Sequence, residues 1–554
     1  MALSLRAEQK SINDIFTTGE DVYVIPEYQR PYSWTKETCY QLYTDITSSF
    51  LNGEDYFVGN IIMARSKKDR KHPNIVDGQQ RLITLWLFMK ILTILYPDIT
   101  RLKRTLLVES VLSEDTVPRI ESKVYEHDDQ KNIETILKYE KDDFEKNLTL
   151  KSRKNEIDEK KCSKIEANAL YLYQWLNEFH SNLNNEDKRM GFLKFFLENV
   201  YMLPIELDGE SIDEASDRAL TIFETLNNRG QILEDSDIFK ARLYKKAKDE
   251  GRDNEFIDQW QDLNETCLNL NISVDDLFRF YYHILRGREG QTNNEASLRE
   301  YLTKDKNSAL NGMPYKQIVE ELSKISDILQ WLNTKDKLSP YIARWLQLVD
   351  LYTNQYPRYA LVNFIFTEGS DDAFKLERFL RIIVRYYYYR GATLQVKYET
   401  YRINKLIACH MELPQYDCYD MAEDSFDHMG TLRKGYALLA HYLQFPTSYV
   451  RDVSFDTLVS RKDMRMLPDD WDENKVDEIK YNIANVVALD IPRRSLNLKE
   501  KALLYCHSTL EDVKNIFDSD GNITYKAFKQ REDNLKKTLM NFFIEKENGK
   551  TGIE

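Results

Sequence analysis

Apolar positions in the first hundred residues fall into short runs broken by turn residues. One run ends at Ile75-Val76, Asp77-Gly78 supplies a tight turn, and Gln79-Gln80-Arg81 leads into residues 82–96. In that last stretch only Thr84, Lys90 and Thr93 are not apolar. A helix that is apolar nearly all round is a buried one. The pattern therefore predicts a polar turn fixed to the start of a central helix. Helix N-termini carry free N–H groups and the positive end of the dipole, which suits phosphate.

The flanking segments read in the same way. Residues 21–26 form a short strand closed by Pro26. The loop 27–34 is stiffened by Pro26 and Pro31, and a helix follows with Cys39, Leu42, Tyr43, Ile46 and Phe50 on its core face. Residues 56–64 read as a central strand in which Gly59 marks a close backbone approach. Residues 66–73 are a basic loop. From about 100 to 195 charged residues dominate, and the reading is a helical insertion in which the run 151–164 is a solvated helix face. Strand character returns at 200–207. A helix at 217–226 stops at Asn227-Asn228-Arg229-Gly230, where glycine is a natural C-terminal cap, and Asp235 or Ser236 caps the next helix.

Beyond 250 the pattern is almost wholly helical. Tyr386 to Tyr389 read as part of a helix packed between neighbours, because consecutive helical residues cannot share one face. Turn residues return near 446. The expectation is an α+β domain over 1–250, a helical domain over 251–445 and a small mixed domain over 446–554.

Composition narrows the function classes. The chain has 554 residues, 42% hydrophobic and 12% aromatic, with 35 tyrosines and a net charge of −14. Such a chain is not globally disordered. It does not coat nucleic acid non-specifically, so any contact with DNA needs a local basic groove. Six cysteines without a CxxC pair read as free thiols in a reducing cytoplasm. No apolar run is long enough to span a membrane, and Arg6, Glu8, Lys10 and Asp14 argue against a signal peptide at the N-terminus.

Three polar clusters lie at junctions between elements: Tyr28-Gln29-Arg30, Asp77 to Arg81, and Asn227 to Gly230. Arg30 and Arg81 suit phosphate oxygens. Asp77 suits Mg²⁺ held alongside phosphates, or a water that Gln79 or Gln80 positions. The competing reading is a buried ion pair between Asp77 and an arginine that merely holds the turn. Other motifs carry less. A Walker-type phosphate loop is missing. The stretch from Asp518 to Ile523 would place Ile516 at a calcium-ligand position. Cys409, His410, Cys418 and His428 lack zinc spacing.

Four ordered motifs carry a resemblance. They are Ile25-Pro26-Glu27-Tyr28-Gln29-Arg30-Pro31-Tyr32-Ser33-Trp34, Tyr56-Phe57-Val58-Gly59-Asn60-Ile61, Val76-Asp77-Gly78-Gln79-Gln80-Arg81-Leu82, and Phe223 through Asn227-Asn228-Arg229-Gly230 to Leu233. Together they resemble the N-terminal domain of GmrSD-type proteins, modification-dependent restriction enzymes of bacterial anti-phage defence, of which a related branch senses phosphorothioate DNA. The resemblance implies a ParB/sulfiredoxin-like fold and Mg²⁺-dependent binding and hydrolysis of a nucleoside triphosphate. It implies that Asp77, Gln79, Gln80 and Arg81 form the catalytic nucleotide site, with Asp77 at the metal. Gly78, Tyr28, Gln29, Arg30, Asn227 and Gly230 would bind the nucleotide. Tyr28, Gln29, Arg30, Tyr32 and Trp34 would line a DNA-sensing pocket.

Many members of that family carry a second, HNH nuclease domain, and residues 455–540 resemble a degenerate copy. Met464-Arg465-Met466-Leu467-Pro468 stands where the histidine signature belongs, followed by Trp471. Asn482 to Val487 resembles the later asparagine segment, and Arg531 a terminal arginine. Arg465 would occupy the histidine position, and a permanently charged guanidinium cannot act as general base. The resemblance thus implies a cytoplasmic, nucleotide-dependent sensor of phage DNA that cuts only with a partner subunit bearing an intact nuclease. Two rivals remain open: a nuclease in its own right, and a non-enzymatic regulator switched by nucleotide.

Overall fold

Period-two alternation puts the strand Tyr56–Ser66 between two apolar layers. Ile61 and Met63 face one core, while Ile62 and Ala64 face the other. The structure, a computed structural model, describes all residues except 1–4, 18–19, 110–115, 125–127, 154–155, 159, 228–234, 294–295, 335–337, 391–395, 414–425, 427–431, 493–495 and 545–554, together with the side chains of 221, 223–227 and 390. The chain divides into two compact units, Met1–Gln261 and Asp262–Glu554.

The first unit is built on a seven-stranded mixed sheet. Its strands are β1 (Leu5–Ala7), β2 (Lys10–Ser11), β3 (Tyr23–Ile25), β4 (Tyr56–Ser66), β5 (Asn74–Asp77), β6 (Ile120–Ser122) and β7 (Val200–Gly209). The order is β1-β7-β4-β5-β3-β6, with β2 also paired to β7. β4 runs parallel to β7 and antiparallel to β5, and β3 lies parallel to both β5 and β6. Opposite Tyr201-Met202 of β7, β4 carries one extra residue: Phe57 faces Tyr201 and Gly59 faces Met202. The bulge sets Gly59 at φ +131°, a conformation suited to glycine.

The larger core lies between one face of the sheet and the central helix Gln79–Leu95, whose residues Leu82, Ile83, Leu85, Trp86, Leu87 and Phe88 are all buried. Helices Lys36–Asn52 and Lys164–Asn182 contribute to the same core. On the other face Val76, Ile205 and Leu207 pack with Ala215 and Ala219 of helix Ile212–Asn227. Ile75 and Val76 are adjacent and serve opposite cores, so β5 arrives at Asp77 fixed on both sides. The segment read as a helical insertion is mostly helical and also supplies β6 to the sheet. Its charge run 151–164 is not one continuous helix face, because it includes a small two-stranded pairing, Ser152–Arg153 with Glu156–Ile157.

The second unit is mainly helical. In helix Ala373–Arg390 the four rings of Tyr386 to Tyr389 are all buried, which requires partners all round that helix. The strands Ser454–Thr457 and Val486–Leu489 form a small antiparallel pair, so residues 446–554 include a mixed portion. Arg465 is exposed in the short 3₁₀ helix Arg461–Met466. Arg531 donates from Nε to the Ala484 carbonyl at 3.2 Å, and burial lowers the pKa of its guanidinium.

Candidate functional site

A cavity of about 530 Å³ opens in the first unit at the junction of β5 and the central helix. Its wall includes Tyr28, Gln29, Arg30 and Trp34 from the loop after β3, and Asp77 to Arg81 from the turn. Two clusters separated by nearly fifty positions in sequence thus share one surface. The third does not enter the comparison, because Gly230 and the Asn227 side chain lie outside the described residues.

The turn is shaped for close approach. Gly78 caps the central helix at φ +92° with no side-chain cap, so the first helical N–H groups are left to a ligand or water. A β carbon on Gly78 would press on the Asn60 carbonyl at 3.0 Å. The Arg81 guanidinium lies directly over Gly59, where a β carbon would overlap Nη1. The bulge in β4 therefore clears the space that Arg81 fills. Arg81 Nη2 stands 3.4 Å from Asp77 Oδ2, longer than a charge-assisted hydrogen bond, and both side chains are about a quarter exposed on the cavity wall. Burial pushes the Asp77 carboxyl above its ordinary range; Arg81, the Gly78 N–H and Arg30 oppose that shift. The ion pair anticipated as a structural alternative is thus present, but it lies on the cavity wall.

Gln79 and Gln80 hold the facing loop. Gln79 Nε2 donates to the Arg30 carbonyl at 2.8 Å. Gln80 Nε2 donates to the Pro31 carbonyl at 3.0 Å, and Gln80 Oε1 accepts from the Ser33 N–H at 2.7 Å. Gln29 Nε2 returns the contact to the Val76 carbonyl at 3.0 Å. Most of the amide capacity expected to position a water is therefore spent on loop backbone. The exception is Gln79 Oε1, which is buried without a hydrogen-bond partner among the described residues. Its amide orientation is fixed, since the group facing the Arg30 carbonyl must be the donor. An orphaned buried acceptor on a cavity wall calls for a donor from a ligand or water.

Other residues anchor the same loop. Burial raises the pKa of the Tyr28 hydroxyl far above the ordinary phenol value, and Ser216 opposes that shift. Its ring packs on Tyr244 at 5.7 Å, and Tyr244 donates its hydroxyl proton to Glu27. Tyr32 departs from expectation. It is buried and does not line the cavity. Asn168 Nδ2 donates to its hydroxyl at 3.2 Å, its hydroxyl bonds Thr84 Oγ1 at 2.7 Å, and Thr84 donates to the Gln80 carbonyl at 2.8 Å.

Several wall residues went unread in the sequence. Asp45 accepts from Gln41 Nε2 at 2.7 Å and from the Tyr56 hydroxyl at 3.1 Å. Gln41 and Asp45 are spaced i, i+4 on a polar helix face, which looks in sequence like ordinary solvated surface. Asn60 and Asp237 also line the cavity. Asn60 sits inside a quoted motif, and that was the available signal.

Among the described residues no group of three or more His, Cys, Asp or Glu side chains is arranged to hold a metal ion. A dedicated protein cage for a cation is therefore not visible. Asp77 fits the other mode, one carboxylate touching an ion that arrives on phosphates. Among the described residues no helix is long and apolar enough to cross a membrane.

Comparison with curated proteins finds no match. Residues 12–244 match the family model described as GmrSD restriction endonuclease, N-terminal domain. That span runs from the helix after β2 to the helix bearing Asp237, and so contains the whole cavity wall. Residues 12–244 of this chain are thus similar to the N-terminal domain of GmrSD restriction endonucleases.

Proposed function

We propose that the cavity binds the phosphates of a nucleoside triphosphate and hydrolyses the terminal one, making the first unit the nucleotide-dependent sensor of a restriction system directed at phage DNA. The observation that carries this reading is the convergence of Arg81, Arg30 and the uncapped N-terminus at Gly78 on one wall. Its size falls in the usual range for small-ligand pockets.

Phosphoryl transfer asks little covalent chemistry of a protein and a great deal of positioning. Arg81 and Arg30 supply positive charge to phosphate oxygens, and the helix N–H groups add donors without rearrangement. Gln79 Oε1 accepts a hydrogen bond from the attacking water or from the ligand. Mg²⁺ bound with the nucleotide would neutralise phosphate charge, with Asp77 as its protein contact. The latch between Gln79-Gln80 and the Tyr28–Trp34 loop couples pocket occupancy to Trp34 and Tyr28, the wall proposed to sense DNA.

A second reading is nucleotide binding without turnover. It is favoured by the commitment of three of the four Gln79 and Gln80 amide groups to loop backbone. DNA cleavage is assigned to a partner subunit, since arginine at 465 cannot replace an imidazole base. Phosphate release from each of the four nucleoside triphosphates with Mg²⁺ tests the leading reading against Asp77→Ala. Turnover in the wild type and none in the variant supports hydrolysis. Stoichiometric binding without release favours the switch. Strong plasmid nicking by the purified chain alone defeats the partner assignment.

A further inference from the structure

The second unit holds a cavity of about 1020 Å³ that shares no residue with the nucleotide site. It is lined by five cationic side chains, Arg433, Arg461, Lys462, Lys480 and Lys501. Two carboxylates, Asp456 and Asp477, face them. Both are already engaged. Arg461 grips Asp477 through Nε and Nη2. Asp456 accepts from the Tyr505 hydroxyl at 3.0 Å and from the Thr457 N–H at 2.8 Å, with Lys501 Nζ at 3.9 Å.

Once those pairs are set aside, Arg433, Lys462 and Lys480 remain as a local positive surplus. Lys462 is exposed and has no hydrogen-bond or ion-pair partner among the described residues. Arg433 is held in place, because its Nη1 donates to the Lys480 carbonyl at 2.8 Å. The exposed ring of Tyr481 packs beside both neighbours, 5.5 Å from the Arg433 guanidinium and 5.1 Å from Lys480 Nζ. These contacts keep two cations at the rim that would otherwise wander in solvent.

The setting makes the surplus meaningful. A chain of net charge −14 repels polyanions on balance, so a contact with one needs a local positive surplus. A pocket with the opposite balance, contributed by four separate segments and far larger than one phosphate needs, suits a polymer of phosphates. We infer that this cavity is a nucleic-acid backbone site in the second unit, holding DNA by phosphate contacts to Arg433, Lys462 and Lys480. It carries no hydrolytic step, and it stands or falls independently of the nucleotide reading.

The test is fluorescence anisotropy of labelled single-stranded and duplex oligonucleotides, titrated with the full chain over a range of salt concentrations. The pair Lys462→Glu and Lys480→Glu changes only exposed side chains. It is expected to weaken binding at least about tenfold and to make the salt slope shallower by about two. The pair Lys462→Arg and Lys480→Arg should bind as wild type. A control with the same net charge, Lys316→Glu and Lys537→Glu, should also bind as wild type. Circular dichroism and the thermal midpoint confirm that each variant is folded. Unchanged affinity and slope in the first pair overturn the inference. So does equal weakening in the control pair, which would make the effect one of total charge, and so does failure of the wild type to bind either probe.

Discussion

The Arg81 guanidinium occupies the space that a side chain at Gly59 would need. The two residues lie on different elements, and their fit depends on the bulge that gives β4 its extra residue. Gly59→Ala is therefore expected to displace Arg81 while leaving the sheet intact. The positive φ adds backbone strain of about 1–3 kcal/mol. Nucleotide affinity should fall at least tenfold, with the circular dichroism spectrum unchanged. Wild-type affinity in this variant would show that the position of Arg81 does not matter.

Gln80 joins the loop to the helix through two hydrogen bonds, to Pro31 and Ser33. Gln80→Ala leaves a backbone donor and an acceptor unpaired, at a cost of about 1–3 kcal/mol. A latch raises KM when it is removed, because the loop wall loosens. A reacting group would instead lower kcat at constant KM. Steady-state phosphate release separates the two, and the geometry predicts the first.

Tyr32 hydrogen-bonds inside the core to Thr84 and Asn168. Tyr32→Phe is expected to lower the thermal midpoint, by the equivalent of about 1 kcal/mol. Nucleotide and oligonucleotide affinities should stay at wild-type values. A selective loss of DNA binding would return Tyr32 to the sensing pocket.

His283 offers a test in the second unit. Its ring stacks on Tyr359 at 4.1 Å, and Nδ1 is buried without a hydrogen-bond partner among the described residues. Burial, then Arg286, Arg279 and Lys397, push its pKa from 6.5 down to about 3. Between those values the unfolded chain binds a proton that the folded chain refuses. Stability is thus full above pH 6.5 and is lost as pH falls toward 3, by at most roughly 1.4 kcal/mol per pH unit from this group. His283→Phe keeps the stacked ring and removes the proton site. Denaturant unfolding as a function of pH should show a shallower acid slope in the variant. Equal slopes would mean that His283 titrates alike in both states.

Much of the first unit was legible because its signals are local. The apolar run after Arg81 announced a buried helix, and Gly59 announced a close approach; both are present. The clusters at Tyr28–Arg30 and Asp77–Arg81 were visible as polar groups at element junctions, and the fold brings them to one wall. Division of labour within a cluster was not legible. Whether Gln79 and Gln80 face a ligand or grip a loop depends on where residues 30–33 lie, and that is set by tertiary pairing. Tyr32 illustrates the same limit: its neighbours Gln29, Arg30 and Trp34 line the cavity, while its own ring turns into the core. Asp45 was hidden because a carboxylate on a polar helix face carries no mark of the cavity beside it. The strand β6 was hidden in a charged region, three residues being too short a run to show alternation.

The proposed function requires the wall bearing Arg81 to bind nucleotide phosphates. Calorimetric titration of each nucleoside triphosphate with Mg²⁺ into wild type, Arg81→Ala and Asp77→Ala tests it most directly. One site per chain is expected in the wild type, with affinity lowered at least about tenfold in Arg81→Ala, the loss of one charge-assisted contact. Equal affinity in wild type and Arg81→Ala, or no heat with any of the four nucleotides, would contradict it.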